Sequence, residues 1–134
     1  MSLEIKERER EGICILDMNG RLTVGDEASK FRERMSKLIA SGRHSIILNM
    51  AQVDYVDSTG LGAMVMCYTT LNRDGGKVKL LSLTRRSIEL LVMTKLTTIF
   101  EVFNDEQNAI NSFFPDREIK RFDILDFVQK MREE

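Results

Sequence analysis

Polar and apolar residues alternate weakly at the start of the chain and then give way to a short apolar run. Residues 3–8 alternate, residues 13–18 are almost wholly apolar, and Glu11-Gly12 lies between them. Two such runs separated by a glycine-containing turn are typical of an antiparallel pair of strands. We therefore predict a hairpin whose second strand ends at Asn19-Gly20.

From residue 26 onward, the apolar residues take the spacing of a helix. They lie three or four positions apart with charged residues between them: Ala28, Phe31, Met35, Leu38 and Ile39. This period places them on one face of a helix. Because glycine favours the left-handed conformation that follows many helices, Ser41-Gly42 is expected to end a helix over residues 26–40.

The chain then alternates between strand and helix patterns. The apolar runs predict strands over residues 45–50, 77–83 and 98–103. Helical patterns occupy residues 59–73, 84–95 and 104–114. Asn104 and Gln107 have the spacing of a capping box, and residues 51–57 are expected to form a loop. This order predicts one α/β domain over residues 1–115, with a mixed, mostly parallel sheet of about five strands packed by about four helices.

Residues 116–134 differ from the rest because their apolar residues recur every third position: Ile119, Phe122, Leu125, Val128 and Met131. This spacing is close to helical and predicts an additional amphipathic C-terminal helix. A large apolar face should not stay exposed. The helix is therefore expected to pack on its own domain, to form a homodimer or to contact a separate partner.

Composition and charge narrow the function classes. The 134 residues are 43% hydrophobic and 31% charged, with a net charge of -1. This balance is typical of a globular domain and gives no electrostatic reason to expect nucleic-acid or membrane binding. We find no signal peptide and no apolar run long enough to span a membrane, so a cytoplasmic protein is expected. Cys14 and Cys67 lie in apolar stretches and are expected to be buried free thiols.

Residues that could carry catalysis are scarce. His44 is the single histidine, the two cysteines lack metal-ligand spacing, and Gly76-Lys77 lacks the other positions of a phosphate-binding loop. No paired carboxylates stand out for acid–base chemistry. We therefore expect no catalytic residue, metal or cofactor, and interpret the protein as a non-enzyme.

The unusual segment is Asp57-Ser58-Thr59-Gly60-Leu61-Gly62, at the start of a predicted helix. Glycine costs a helix about 1 kcal/mol relative to alanine, so two glycines in the first turn need a reason. Close packing could supply it, with Asp57 or Ser58 as the N-cap. Alternatively, Ser58 is a phosphorylation site. A helix N-terminus tolerates a phosphate, whose charge beside Asp57 would repel a docked partner.

These residues also carry a family resemblance. The runs are Asn19-Gly20-Arg21-Leu22, the segment over residues 46–62, and Gly75-Gly76-Lys77. Together they resemble the STAS-domain anti-sigma factor antagonists of bacterial partner-switching systems, over roughly residues 3–114. The resemblance implies a STAS-like fold.

The resemblance also implies a mechanism. The unphosphorylated antagonist binds an anti-sigma factor that is also a serine kinase, and this frees the sigma factor. The kinase then phosphorylates the antagonist, here at Ser58, and a phosphatase resets the cycle. The surroundings of the acceptor would be Thr23, Asp26, Asp57, Thr59, Gly60 and Gly62. Family members often carry Asp where this chain has Thr23, which is a departure from the pattern.

The helix after the motif is apolar around most of its circumference. Such a helix is either deeply buried or covered by a partner, and methionine suits adaptable contact surfaces. The predicted partner-binding residues are Leu61, Ala63, Met64, Met66 and, on the next helix, Met93.

A second function stays open at this point. A STAS domain can serve as an accessory or structural subunit of a larger lipid-transport or signalling assembly. Ser58 would then only cap its helix.

Overall fold

A computed structural model describes residues 2–133. Within them, five strands form one sheet in the order β1-β2-β3-β4-β5. The strands are β1 Leu3–Arg10, β2 Ile13–Leu22, β3 Ser45–Val56, β4 Lys77–Leu81 and β5 Val102–Phe103. β1 runs antiparallel to β2, and every other neighbouring pair is parallel. The predicted mixed, mostly parallel α/β sheet is confirmed.

Five α-helices pack on this sheet within the same residues: α1 Asp26–Ala40, α2 Ser58–Arg73, α3 Arg85–Met93, α4 Glu106–Asn111 and α5 Ile124–Glu133. The bounds of α1 match the prediction. Helices α1, α2, α3 and α5 contribute to the main core on one face, and α4 covers a smaller core on the other. Both layers are apolar because the central strands bury residues on their two faces.

β2 and β3 are longer than predicted. Asn19-Gly20 does not end β2, which continues to Leu22, and the predicted loop over residues 51–57 is strand as far as Val56. The two extensions pair with each other, Gly20 with Val53 and Leu22 with Val56, across a register irregularity. Because an irregular register disturbs the simple alternation of polar and apolar residues, the sequence pattern hid these extensions.

Several boundaries later in the chain also differ. The strand predicted over residues 98–103 is reduced to Val102–Phe103, preceded by a short 3₁₀ helix over Leu96–Thr98. β4 ends at Leu81. The cap of α4 is Asp105, whose carboxylate accepts a 2.9 Å hydrogen bond from the Asn108 N–H, so the prediction of a capping box at Asn104 is wrong.

The C-terminal helix is shorter and rotated relative to the prediction. It begins at Ile124, which lies in the main core with Phe127 and Val128 against it, whereas Leu125 is 76% exposed. The preceding segment is tied to the sheet by the Phe122 N–H, which donates to the Val102 carbonyl at 3.1 Å. The apolar face of α5 therefore packs on its own domain. Glu134, the last residue of the predicted extension, lies outside the described residues.

Both cysteines are buried free thiols within the described residues, as predicted. Burial raises the pKa of Cys67 to about 11, so this thiol stays protonated at neutral pH. No helix within residues 2–133 is both long enough and apolar enough to cross a membrane.

Candidate functional site

Three connections meet at the carboxyl edge of the parallel strands. β2 leads through residues 23–25 into α1, β3 leads through Asp57 into α2, and β4 leads through residues 82–84 into α3. Because β2, β3 and β4 are parallel neighbours, these connections lie side by side. Ser58, the predicted acceptor, is therefore placed between the starts of two other helices.

Asp57 ties two of these connections together. One carboxylate oxygen accepts a 2.8 Å hydrogen bond from the Gly60 N–H, and the other accepts a 2.8 Å bond from the Val24 N–H. Its own N–H donates to the Leu22 carbonyl at 3.2 Å. Burial alone would raise the pKa of Asp57, but the backbone N–H groups outweigh it and hold the pKa below its usual value. Asp57 is thus an ionised N-cap.

Ser58 is left without a capping role. It is the first residue of α2 and is exposed. Within residues 2–133 its hydroxyl makes no hydrogen bond to another protein group. Of the two capping candidates, the structure selects Asp57 and leaves the Ser58 hydroxyl open to solvent.

The two glycines of the first turn have different roles. A Cβ at Gly60 would overlap the carbonyl oxygen of Leu22, so glycine is required for α2 to approach the end of β2. Apart from its two chain neighbours and the nearby backbone of α2 itself, a Cβ at Gly62 would have no described atom within 4 Å. Packing therefore explains Gly60, and it does not explain Gly62, which is exposed one helical turn beyond Ser58.

The remaining predicted surroundings lie around this edge. The Thr23 carbonyl accepts a 3.0 Å hydrogen bond from the Ala28 N–H and so supports the start of α1. Asp26 is exposed in the first turn of α1, and Thr59 is half-buried beside Ser58. In the part of the chain that the structure describes, the link from this loop to Asp57 is made by the N–H of the next residue, Val24, and not by the Thr23 side chain.

The predicted partner-binding surface needs a correction. Leu61, Ala63 and Met64 are buried in the main core, so the prediction that they contact a partner is wrong. α2 packs against both the sheet and α1. These contacts bury more of its circumference than the single buried face of an ordinary surface helix. Met66 and Met93 stay 66% and 80% exposed and remain available.

Two features that the motif did not indicate complete the site. A shallow groove of about 230 Å³ runs beside Ser58, bounded by the end of β3 and by α3. Tyr55 and Arg86 line it, with the Arg86 guanidinium carbon 5.5 Å from the centre of the Tyr55 ring. Arg86 follows β4 as Ser58 follows β3, so the parallel order of the strands could have placed them together.

The other candidates from the sequence have backbone roles. His44 is exposed, and its carbonyl accepts a 2.7 Å hydrogen bond from the Lys77 N–H. A Cβ at Gly76 would lie 2.7 Å from the same carbonyl, so glycine is needed at this turn. Among residues 2–133, no cluster of three His, Cys, Asp or Glu side chains could hold a metal ion.

Comparisons with known proteins agree with this geometry. A sequence model of the STAS domain matches residues 4–109. The anti-sigma-B factor antagonist of Listeria monocytogenes is 30% identical over 106 residues, which cover 79% of this chain and 91% of that protein. The anti-sigma F factor antagonist of Paenibacillus polymyxa is 26% identical over 111 residues, which cover 82% of this chain and 94% of that protein.

The fold is also that of a solved antagonist. The unphosphorylated form of the anti-sigma factor antagonist SpoIIAA matches with a TM-score of 0.65 at 19% identity, covering 84% of this chain and 99% of that chain. The phosphorylated form of this Bacillus protein matches with the same TM-score. Together with the domain match and the 30% identical relative, this places the chain in the STAS domain family, among the anti-sigma factor antagonists.

Proposed function

We propose that this protein is an antagonist controlled by phosphorylation of Ser58. In the unphosphorylated form it binds an anti-sigma factor that is also a serine kinase, and this releases the sigma factor. The observation that carries the proposal is the division of roles at the start of α2. Asp57 caps the helix, which leaves the neighbouring Ser58 hydroxyl exposed and without an intramolecular partner.

The chemistry belongs to the kinase, and this chain is the substrate. The Ser58 oxygen attacks the γ-phosphorus of ATP, the bond from that phosphorus to the bridging oxygen of ADP breaks, and a base on the kinase takes the hydroxyl proton. Asp57 is a poor candidate for that base because both of its carboxylate oxygens are engaged and its pKa is lowered. Its role is to hold Ser58 in place.

Phosphorylation would change the surface without breaking the fold. The phosphate adds about -1.5 to -2 charges at the N-terminus of α2, where the helix dipole favours an anion. The same charge stands next to the ionised Asp57, so a partner that docks on this edge meets strong new repulsion. Loss of binding with an intact fold is the expected result.

The proposed contact surface is an exposed strip of α2 together with Met93. Ser58, Gly62 and Met66 are four residues apart and therefore share one side of the helix. Gly62 lies in open space, which allows a partner backbone to approach closely. Met93 lies on the opposite side of the groove that borders Ser58. This surface replaces the wider one predicted from the sequence.

The first test is labelling by serine kinases encoded in the same genome. Intact mass spectrometry should find one added phosphate on the wild type and none on Ser58→Ala, while the control Thr59→Ala is labelled like the wild type. Ser58→Asp should bind the kinase at least about tenfold more weakly, a loss of about 1.4 kcal/mol, with an unchanged circular dichroism spectrum. Equal labelling of wild type and Ser58→Ala would contradict the proposal.

The proposal extends to the cellular setting of the switch. We place the protein in the cytoplasm with its kinase and with a phosphatase that resets Ser58. The alternative, an accessory subunit of a larger assembly, assigns Ser58 only a capping role, and the hydrogen bonds of Asp57 leave that role already filled. Stable co-purification with such an assembly, without phosphate on Ser58, would favour the alternative.

We also propose that α5 acts within one chain rather than as a homodimer contact. Its apolar face packs on the domain, and within the described part of α5 Leu125 is the one strongly exposed large apolar residue. Sedimentation analysis should find a monomer for both the wild type and Leu125→Gln. A dimer that Leu125→Gln dissociates would contradict this.

A further inference from the structure

We propose that Arg86 pairs with the phosphate on Ser58 and holds the phosphorylated state. This inference rests on the proposed modification of Ser58 and adds the residue that receives the phosphate. Arg86 is the second residue of α3, and Ser58 is the first residue of α2. The two helices follow β4 and β3, which are parallel neighbours, so their N-termini face the same groove.

The Arg86 guanidinium lies on the wall of that groove. Its central carbon lies 5.5 Å from the centre of the Tyr55 ring, and both side chains line the groove together with Ser58. An exposed cation–π contact of this kind is weak, whereas a guanidinium and a phosphate form a strong, bidentate, charge-assisted pair. Arg86 can therefore exchange part of its contact with Tyr55 for the phosphate.

The charges around the groove point to the same residue. Its charged lining residues among those described are Asp57, Arg86 and Glu89. The Glu89 carboxylate lies 3.7 Å from Arg85, and the Asp57 carboxylate is held by backbone N–H groups. A phosphate here adds more negative charge to two carboxylates. Arg86 is the one cation that the described lining supplies to balance it.

Pairing with Arg86 should shift the pKa of the phosphate in a defined direction. A neighbouring positive charge favours the dianionic phosphate and lowers its second pKa, which is about 6 in the absence of a partner. Removing the charge should raise that pKa again. The guanidinium also fits phosphate oxygens bidentately, a geometry that lysine cannot reproduce. Arg86→Lys should therefore restore only part of the shift.

The experiment uses the full chain with phosphoserine incorporated genetically at position 58, titrated by phosphorus NMR. Arg86→Gln should raise the phosphate pKa by about half a unit or more relative to the chain with Arg86. The matched control is Arg85→Gln, which removes the positive charge beside Glu89 and should raise the phosphate pKa by less than about half as much. Circular dichroism of each variant verifies the fold.

Two results would overturn the inference: an unchanged pKa in Arg86→Gln, or an equal rise in Arg85→Gln, which would indicate a general field rather than a specific pair. Because the phosphoserine is installed without a kinase, the outcome is independent of the labelling test. A shifted pKa together with no labelling by any kinase would support Arg86 and contradict the proposed function.

Discussion

Two polar regions on opposite sides of the sheet differ in how their charged and hydroxyl groups are used. Near α4, Arg8 contacts both Asp17 and Glu106, and Arg10 contacts Glu106 as well. At the carboxyl edge, Asp57 is satisfied by backbone N–H groups, and Ser58 beside it has no intramolecular partner among the described residues. The first region uses its charged groups in ion pairs within the fold, whereas the second leaves one hydroxyl exposed.

The pKa of Glu106 reflects the ion pairs near α4. Hydrogen bonds from Arg8, and then from Arg10, lower the pKa of Glu106 to about 2 against the opposing effect of burial. This network connects α4 to β1 and β2 through ion pairs. We therefore expect changes near α4 to alter stability with little effect on binding, and changes on the exposed strip of α2 to do the reverse.

The largest effect on stability is expected at Gly60, where the packing of the fold and the geometry of the Ser58 site depend on the same residue. A Cβ in Gly60→Ala would overlap the Leu22 carbonyl, so α2 must shift away from β2. The free energy of unfolding should fall by about 3 kcal/mol, as measured by urea denaturation, and the Asp57 cap should be disturbed with it. Gly62→Ala adds the same methyl group two residues later and serves as the control. A loss below about 0.5 kcal/mol would contradict this reading of the close contact.

An intermediate effect is expected from the network near α4. Glu106→Gln removes the shared carboxylate, and because these side chains are partly exposed the loss at pH 7 should be about 1–2 kcal/mol. The folded pKa of about 2 lies below the usual 4.5, so the carboxylate stabilises the protein above pH 4.5 and loses that effect as the pH falls towards 2.

Urea denaturation at several pH values checks this prediction. The difference between wild type and Glu106→Gln should shrink steadily between pH 5 and pH 2. Glu33→Gln, which removes an exposed carboxylate 3.3 Å from Lys37, is the control and should change stability by less than about 0.5 kcal/mol. A difference that stays constant with pH would show that the network does not act through the charge of Glu106.

The smallest effect on stability is expected from Gly62→Ala. This substitution separates the two regions most clearly, because it should stabilise the fold and weaken binding. Gly62→Ala should raise the free energy of unfolding by about 0.5–1 kcal/mol, since alanine is the better helix former and the site is open. If the exposed strip of α2 contacts the kinase closely, the added methyl group should weaken binding about tenfold, measured by calorimetry.

The control for this prediction is Glu33→Gln, a change at an exposed side chain of α1 that does not line the groove beside Met66, and it should leave binding unchanged. Unchanged binding in Gly62→Ala would remove Gly62 from the proposed contact surface.

Part of this site could be predicted from the sequence because its determinants are local. The bounds of α1 follow from its apolar period and the glycine after it. The placement of Ser58 at a helix start follows from the motif and from the strand before it. The prediction from the three-residue spacing in the tail was wrong in its details. The helix begins only at Ile124, and the face that packs on the domain includes Phe127 and excludes Leu125.

The sequence by itself determined the class of fold and the position of Ser58 at the start of a helix, since each depends on residues close together in the chain. The tertiary structure decided which residue caps α2, since that choice depends on the reach of Asp57 to Val24 in another connection. It also buried Met64 and left Met66 exposed, and it brought Arg86 to the groove beside Ser58. These outcomes depend on how strands and helices pack. The residue spacing within one segment cannot predict them, because it does not specify which other segments lie next to it in space.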